Sequence, residues 1–325
     1  MGKEISCKEA AGLLRQWDHI LVLSHASPDG DTLGSACALM RGLVSLGKQV
    51  SFRCADEIPQ KFDYLFQGLP LGGPAQFSPE HIVSVDVADT VLLGSLQEEY
   101  GEKIELAIDH HGTHKAFAKA RWVEEDSAAT AELIWLLLKE LGVTADKAMA
   151  DCVYTGITTD TGCLRYRNAT PRTYRLAAET IEAGADAAEI NRLMWECKTK
   201  AQMEAEKLIL ATMEYFCDGK CAMIRVPQSI LRQTGAQDSD VEGAASLPRQ
   251  VEGVLIGVTI KEKADGTVKA SLRTNPPANA AAICEKFGGG GHTGAAGCSF
   301  SGISMEEAAE RLKAACEEEL LAVSN

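Results

Sequence analysis

The stretch His19-Ile20-Leu21-Val22-Leu23-Ser24-His25-Ala26-Ser27-Pro28-Asp29-Gly30-Asp31 is an apolar run that breaks abruptly into imidazole, proline and carboxylate. Its first five residues read as a buried β-strand, short and apolar without interruption. From Thr32 to Leu46 the apolar residues Leu33, Ala36, Leu39, Met40, Leu43 and Val44 recur at helical spacing, and Gly47 closes the helix. His25, Asp29 and Asp31 therefore stand at the carboxyl end of a strand, ahead of a helix. Gly30 is read as a sharp turn that aims the two carboxylates at neighbouring points. Taken alone, Pro-Asp-Gly-Asp is equally an ordinary turn.

The same grammar repeats along the first half. Gln49 to Arg53, His81 to Val87 and Ile104 to Ile108 read as further strands. Helices are expected over Ser127 to Leu141, Thr144 to about Ile157, and from Thr170-Pro171 to Gly184. Strands alternating with helices predict an α/β fold with an N-terminal doubly wound, mostly parallel sheet, in which ligands sit at the carboxyl ends of the strands. Asp86 ends the strand HIVSVD, and Asp109-His110-His111 ends IELAID. Asp160 lies in Thr158-Thr159-Asp160-Thr161-Gly162, after a predicted helix. A single strand-end Asp is more often a helix cap. Two adjacent histidines in a chain with 7 are harder to explain as packing. His25, Asp29, Asp31, Asp86, Asp109, His110, His111 and Asp160 would thus share one crevice. So many carboxylates would raise each other's pKa unless cations were present. Two divalent ions about 3.5–4 Å apart, bridged by one carboxylate, would resolve the repulsion. Mixed His and Asp ligands favour Mn²⁺, with Mg²⁺ or Co²⁺ as alternatives. His19 and His114 show no acidic partner at ligand spacing and read as surface or core residues. Arg165-Tyr166-Arg167 reads equally as a surface strand or as a contact for phosphate or a base.

A change of pattern divides the chain. Asp186 to Phe216 is helical and charged with no strand signal, so the expected organisation is a metal-binding domain over residues 1–190, a helical linker over 191–216 and a smaller α/β domain over 217–325, facing the first across a cleft. In the last part Lys220 to Val226, Val251 to Lys261 and Thr267 to Arg273 read as strands, with a hairpin turn at Ala264 to Thr267. Pro276 to Phe287 reads as a helix, and Ser304-x-x-Glu307 opens a final one. Between them lies Phe287-Gly288-Gly289-Gly290-Gly291-His292-Thr293-Gly294-Ala295-Ala296-Gly297. Glycine runs let backbone N–H groups approach an anion. Gly289, Gly290, Gly291 and His292 are therefore candidate substrate contacts, with Arg273 as a phosphate partner.

The totals narrow the classes. At roughly 150 residues per domain, 325 residues suggest two domains. No apolar run approaches the roughly 18 residues of a membrane span, and the N-terminus carries no signal-peptide pattern, so a cytoplasmic protein that does not enter membranes is expected. The 11 cysteines, none in a CxxC pair, fit reduced, buried thiols. A formal net charge of −14 opposes binding to long duplex nucleic acid, which is held by cationic side chains. The composition leaves room for a homodimer.

The set SHASPDGD, VDVAD, IDHH and TTDTG, followed by SLRTN and FGGGGHTGAAG, resembles the DHH family of phosphoesterases with its associated C-terminal domain, and within it the bifunctional oligoribonuclease/pAp phosphatases, or nanoRNases. The match covers nearly the whole chain. The resemblance implies one metal held by His25, Asp29 and Asp86, and a second by Asp31, Asp86, His110 and Asp160. Asp109 would support a ligand and His111 would contact the scissile phosphate. Arg273, Gly289 to Gly291 and His292 would hold the distal part of the substrate. The implied substrates are short RNA, linear dinucleotides and 3′-phosphoadenosine 5′-phosphate (pAp), hydrolysed to mononucleotides and AMP. The alternatives are a RecJ-like single-strand exonuclease, a pyrophosphatase related through the first domain, and a non-catalytic nucleotide sensor of the same fold.

Overall fold

A computed structural model describes residues 2–69 and 77–323, and no helix among them is long and apolar enough to cross a membrane. The chain forms two compact units, residues 1–197 and 198–325.

The first unit is built on six strands: β1 (Lys3–Glu4), β2 (Ile20–Leu23), β3 (Val50–Arg53), β4 (His81–Val85), β5 (Leu106–Asp109) and β6 (Ala120–Val123). They form one sheet in the order β1-β6-β5-β4-β2-β3, with every pairing parallel. β1 and β6 extend the sheet beyond the four strands legible in the sequence; β1 has two exposed residues, and β6 buries only Trp122, so neither carries an apolar run. In β2, Ile20 and Val22 face one core and Leu21 and Leu23 the other, which explains why the strand is apolar without alternation. The helices are α1 (Cys7–Gln16), α2 (Gly30–Ser45), the single turn α3 (Gln97–Tyr100), α4 (Thr130–Leu141), α5 (Lys147–Asp160), α6 (Pro171–Glu182) and α7 (Ala187–Asn191).

Two boundaries differ from expectation in ways that matter. Helix α2 begins at Gly30, capped by Asp29, whose Oδ1 accepts from the N–H groups of Asp31 and Thr32 at 3.0 and 3.1 Å. Gly30 is thus a helical residue, not a sharp turn. Glycine is required there because a Cβ would lie 2.4 Å from Cγ2 of Thr159. Helix α5 runs on through Asp160, so this residue is helical and does not lie in a following turn. The two helices touch through glycine: a Cβ on Gly34 would stand 2.3 Å from the Cys152 carbonyl oxygen, and one on Gly156 would stand 2.7 Å from Asp31 Oδ1. This close antiparallel approach brings the last residue of α5 beside the first turn of α2.

The second unit contains α8 (Lys200–Leu210), β7 (Glu214–Phe216), β8 (Cys221–Val226), α9 (Gln228–Thr234), β9 (Ile256–Glu262), β10 (Val268–Thr274), α10 (Ala280–Glu285), β11 (Gly290–His292), β12 (Ala295–Phe300) and α11 (Met305–Val323). Its sheet runs β11-β12-β10-β9-β8-β7 and is antiparallel except for β8 against β9. The strand β7 falls where only helix was expected; three half-exposed residues, paired to β8, carry no pattern of their own. Helices α10 and α11 cover one face of the sheet, and α8 and α9 pack on Ile224 and Val226 of the other.

The glycine run is not an open loop. Gly290–His292 pairs with Ala295–Gly297 as an edge hairpin. A Cβ on Gly289 would meet the Gly297 carbonyl oxygen at 2.2 Å, and Gly291, at φ +144°, would put one 2.6 Å from the Ala295 carbonyl oxygen. Close strand approach therefore accounts for these two glycines.

Candidate metal centre

β2 and β4 are neighbours, and the connection from β2 runs to β3 on one side while that from β4 runs to β5 on the other. At such a switch point the strand ends open a crevice. His25 follows β2, Asp86 follows β4, and Asp109-His110-His111 ends β5. Helix α2 delivers Asp29 and Asp31, and the end of α5 delivers Asp160. The structure brings eight of the residues singled out in the first half together here.

Three overlapping groups each present one ligand atom per residue within 4.8 Å of one another: His25, Asp29 and Asp86; Asp31, His110 and Asp160; and Asp86, His110 and His111. His25 Nε2 lies 3.7 Å from Asp29 Oδ1 and 3.6 Å from Asp86 Oδ2. His110 Nε2 lies 3.3 Å from Asp160 Oδ2, 3.8 Å from Asp86 Oδ1 and 4.0 Å from Asp31 Oδ2. These spacings exceed good hydrogen bonds and match ligand atoms arrayed around an ion with arms of about 2.1 Å. His110 Nε2 is buried without a hydrogen-bond partner, which a nitrogen lone pair aimed at a cation would explain.

Neighbouring groups set the tautomers. His25 Nδ1 lies 2.7 Å from the Ala26 carbonyl oxygen and His110 Nδ1 3.0 Å from that of Ser127. Each donates its Nδ1–H there, which leaves Nε2 as the nitrogen turned toward the carboxylates. Asp86 sits at φ +60°, a conformation costly for a side-chain-bearing residue and common where a site demands it.

The electrostatics demand positive charge. Burial, then the charges of Asp86 and Asp160, push the Asp31 carboxyl well above its usual range. Burial and neighbouring carboxylates push Asp160 up to about 6 even though His110 opposes the shift. Asp160 also ends a helix, where the macrodipole disfavours an anion. Burial works against charge on the imidazoles, yet Asp29 and Asp86 raise His25 to about 11, and Asp160, Asp31 and Asp86 raise His110 to about 10. Without other cations the cluster recruits protons as its counter-charge. The donor set, hard carboxylates with two imidazoles, fits divalent ions.

Asp109 stands apart from the three groups. It is fully buried; its Oδ1 accepts from His111 Nδ1 at 2.8 Å and its Oδ2 from His114 Nδ1 at 2.7 Å. Burial alone would raise its pKa, but these two bonds hold it well below the carboxylate range. The bond to Asp109 in turn raises the pKa of His111, whose side chain is 43% exposed. The reading of His114 as lacking an acidic partner is thus corrected: its side chain is 3% exposed, against Asp109 and the Phe117 ring. His19 also has acids nearby, Glu80 at 3.5 Å and Asp18 at 3.9 Å, but it precedes β2, at the opposite end of the strand from the centre.

Sequence reasoning missed Thr130. Its Oγ1 donates to Asp86 Oδ1 at 2.9 Å, while the N–H groups of Thr130 and Ala131 bond Asp31 at 2.6 and 2.9 Å. The first turn of α4 therefore caps itself on a carboxylate 99 residues away. The only local hint is Ser127-Ala128-Ala129-Thr130, small polar residues ahead of a helix.

In the second unit Arg273 of β10 pairs in register with Ala295 of β12, which pairs with His292 of β11. Directly opposed residues point to the same face. Arg273 and His292 therefore share one face, two strands apart, opposite to the face carrying Ala270 and Leu272 into the core. Gly289, Gly290 and Gly291 lie in or beside the same hairpin. Arg165-Tyr166-Arg167 forms part of a turn, not a surface strand, with the Arg165 guanidinium 5.3 Å from the Trp195 ring centre.

A parallel sheet that gathers carboxylates and imidazoles at its strand ends defines the class of α/β proteins that build divalent-cation centres at a topological switch point. Residues 19–157 match the DHH family, N-terminal domain, and residues 218–320 match the DHHA1 domain. The bifunctional oligoribonuclease and PAP phosphatase NrnA of Thermus thermophilus is 33% identical over 304 residues, covering 93% of this chain and 90% of the relative. An exopolyphosphatase-related protein from Bacteroides fragilis superposes with a TM-score of 0.88 over 98% of both chains at 23% identity. RecJ from Thermus thermophilus, solved in complex with Mn²⁺, superposes with a TM-score of 0.51 at 17% identity, over 96% of this chain and 55% of that one. These two likenesses concern the fold. The chain belongs to the DHH family of phosphoesterases, together with the bifunctional oligoribonuclease/PAP phosphatases.

Proposed function

We propose that this chain is a metal-dependent phosphoesterase that hydrolyses short oligoribonucleotides and linear dinucleotides to mononucleotides, and pAp to AMP. The observation that carries the reading is the convergence of four carboxylates and two imidazoles in groups joined through Asp86 and His110, with the Nε2 of His110 buried and without a hydrogen-bond partner. The relative named a bifunctional oligoribonuclease and PAP phosphatase supports the substrate class.

His25, Asp29 and Asp86 would hold one divalent ion, and Asp31, Asp86, His110 and Asp160 a second, with Asp86 shared. Mn²⁺ suits this mixed set. When bound, the ions supply Lewis-acid polarisation of the phosphate and activation of the attacking water. His111, held in orientation by Asp109, which also favours its protonated form, would in that form donate Nε2–H to a phosphoryl oxygen and offset its growing charge. Arg273 and His292, on one face of the second sheet, would bind a phosphate or base of the substrate away from the scissile bond, with Gly289 to Gly291 admitting it closely. The net charge of −14 favours short substrates over long duplex, and a cytoplasmic location suits them.

The test is a panel of pAp, linear dinucleotides, a five-residue RNA, long single-stranded DNA, a cyclic dinucleotide and pyrophosphate, each with Mn²⁺. Initial rates are expected to be highest for pAp and the short RNAs. Asp86→Ala is expected to lower them by at least a thousandfold, roughly 4 kcal/mol in barrier. Full Mn²⁺-dependent activity in that variant would remove Asp86 from the centre, and exclusive pyrophosphate hydrolysis would overturn the substrate reading.

A further inference from the structure

We propose that Arg172, which no ligand role touches, is a positioning residue for the centre, acting through the segment from Glu124 to Glu132; the inference rests on the metal-centre reading above. This segment touches three of the proposed ligands. The Ser127 carbonyl accepts from His110 Nδ1 at 3.0 Å. The Thr130 and Ala131 N–H groups hold both oxygens of Asp31, and Thr130 Oγ1 holds Asp86. Yet residues 124–129 are turn and loop between β6 and α4, with no regular ladder to fix them.

Beside the bonds from the Glu124 N–H to the Asp109 carbonyl and from Asn168 Nδ2 to the Ala128 carbonyl, Arg172 adds a three-point constraint from α6. Its Nη1 donates to Glu124 Oε2 at 2.8 Å, its Nη2 to Ser127 Oγ, and its Nε to Glu132 Oε2 at 3.0 Å. One planar guanidinium thus ties the beginning, middle and end of the segment. Glu132 is fully buried, so its carboxylate needs this cation. The Trp122 indole N–H holds the other oxygen of Glu124 at 3.0 Å. Arg172 itself follows Pro171 in the first turn of α6, where the macrodipole disfavours a cation, so its place answers to these three partners and not to the helix. A lysine could neutralise Glu132, but it has no fork to span all three.

The test uses the full chain. Removing the guanidinium alone would strand the buried Glu132 carboxyl without its partner, so two milder variants are compared: Arg172→Lys, and the charge-balanced pair Arg172→Gln with Glu132→Gln. Mn²⁺ affinity is read by calorimetric titration and electron paramagnetic resonance, folding by circular dichroism, and turnover with pAp. Both variants are expected to fold. Mn²⁺ binding should weaken about tenfold or more, the loss falling on the ion held by His110 and Asp31, and kcat should drop while KM for pAp stays constant. Folded variants that bind Mn²⁺ with wild-type affinity, or that lose only thermal stability, would overturn the role of Arg172. A wild-type protein that binds no Mn²⁺ would overturn the metal-centre reading itself.

Discussion

The hydroxyl of Thr130, on the first residue of a helix, holds one oxygen of Asp86 while the N–H of the same residue holds Asp31. Valine has the shape of threonine without the hydroxyl, and the site is fully buried, so Thr130→Val is expected to keep the fold. The loss of one hydrogen bond should cost about 1 kcal/mol of stability. The looser Asp86 should lower kcat/KM for pAp about tenfold or more, read from steady-state rates in saturating Mn²⁺. A second expectation concerns protons. His25 and His110, raised to about 11 and about 10, carry protons at neutral pH, and a cation can take their Nε2 only after those protons leave. Mn²⁺ binding near pH 7 should therefore release protons, and apparent affinity should rise with pH by about one log unit per unit for each proton displaced. Titration calorimetry in buffers of different ionisation enthalpy measures the number released; zero would mean that no imidazole proton is displaced. The donors themselves were legible in the sequence, because each sits in a short motif at a predicted strand or helix end. Thr130, His114 and Arg172 were not, because each acts on a partner that only folding brings near.

Helices α2 and α5 approach closely at Gly34 and Gly156, and this contact sets Asp160 beside Asp31. Gly34→Ala would force a Cβ to 2.3 Å from the Cys152 carbonyl oxygen, so the helices would have to part. A stability loss of about 1–3 kcal/mol is expected by urea denaturation, with weaker Mn²⁺ binding. Gly12, in the interior of α1, has nothing within 4 Å of its would-be Cβ. Gly12→Ala should stabilise by about 0.5–1 kcal/mol, since alanine gives up less backbone freedom on folding. The contrast separates a packing glycine from a tolerated one, which spacing cannot do. The glycine run at 288–291 gives the same lesson. Its composition reads as a loop, whereas pairing with β12 makes Gly290–His292 a strand whose neighbours have no room for a Cβ at 289 or 291. Short strands such as β1, β6 and β7 were hidden for the complementary reason: pairing with neighbours defines them, not their own periodicity.

The two units carry separate hydrophobic cores, one around the parallel sheet and another around the mixed sheet. All the proposed metal ligands lie within residues 1–197. Differential scanning calorimetry with Mn²⁺ and with a chelator is expected to move the transition of the first unit and leave that of the second in place. At a hundredfold excess over the dissociation constant, binding adds about 2.7 kcal/mol to the unit that holds the ion. Equal shifts throughout the melting curve would show that the units unfold as one. The sequence by itself determined the kinds of donor group and their places at strand and helix ends, because local hydrophobic periodicity and turn chemistry depend on near neighbours in the chain. Only the tertiary structure decided which donors meet, how their tautomers are set, and why Gly30, Gly34 and Gly156 carry no side chain. Those outcomes depend on the close packing of α2 on α5 and on hydrogen bonds between residues about a hundred positions apart, such as Asp31 with Thr130.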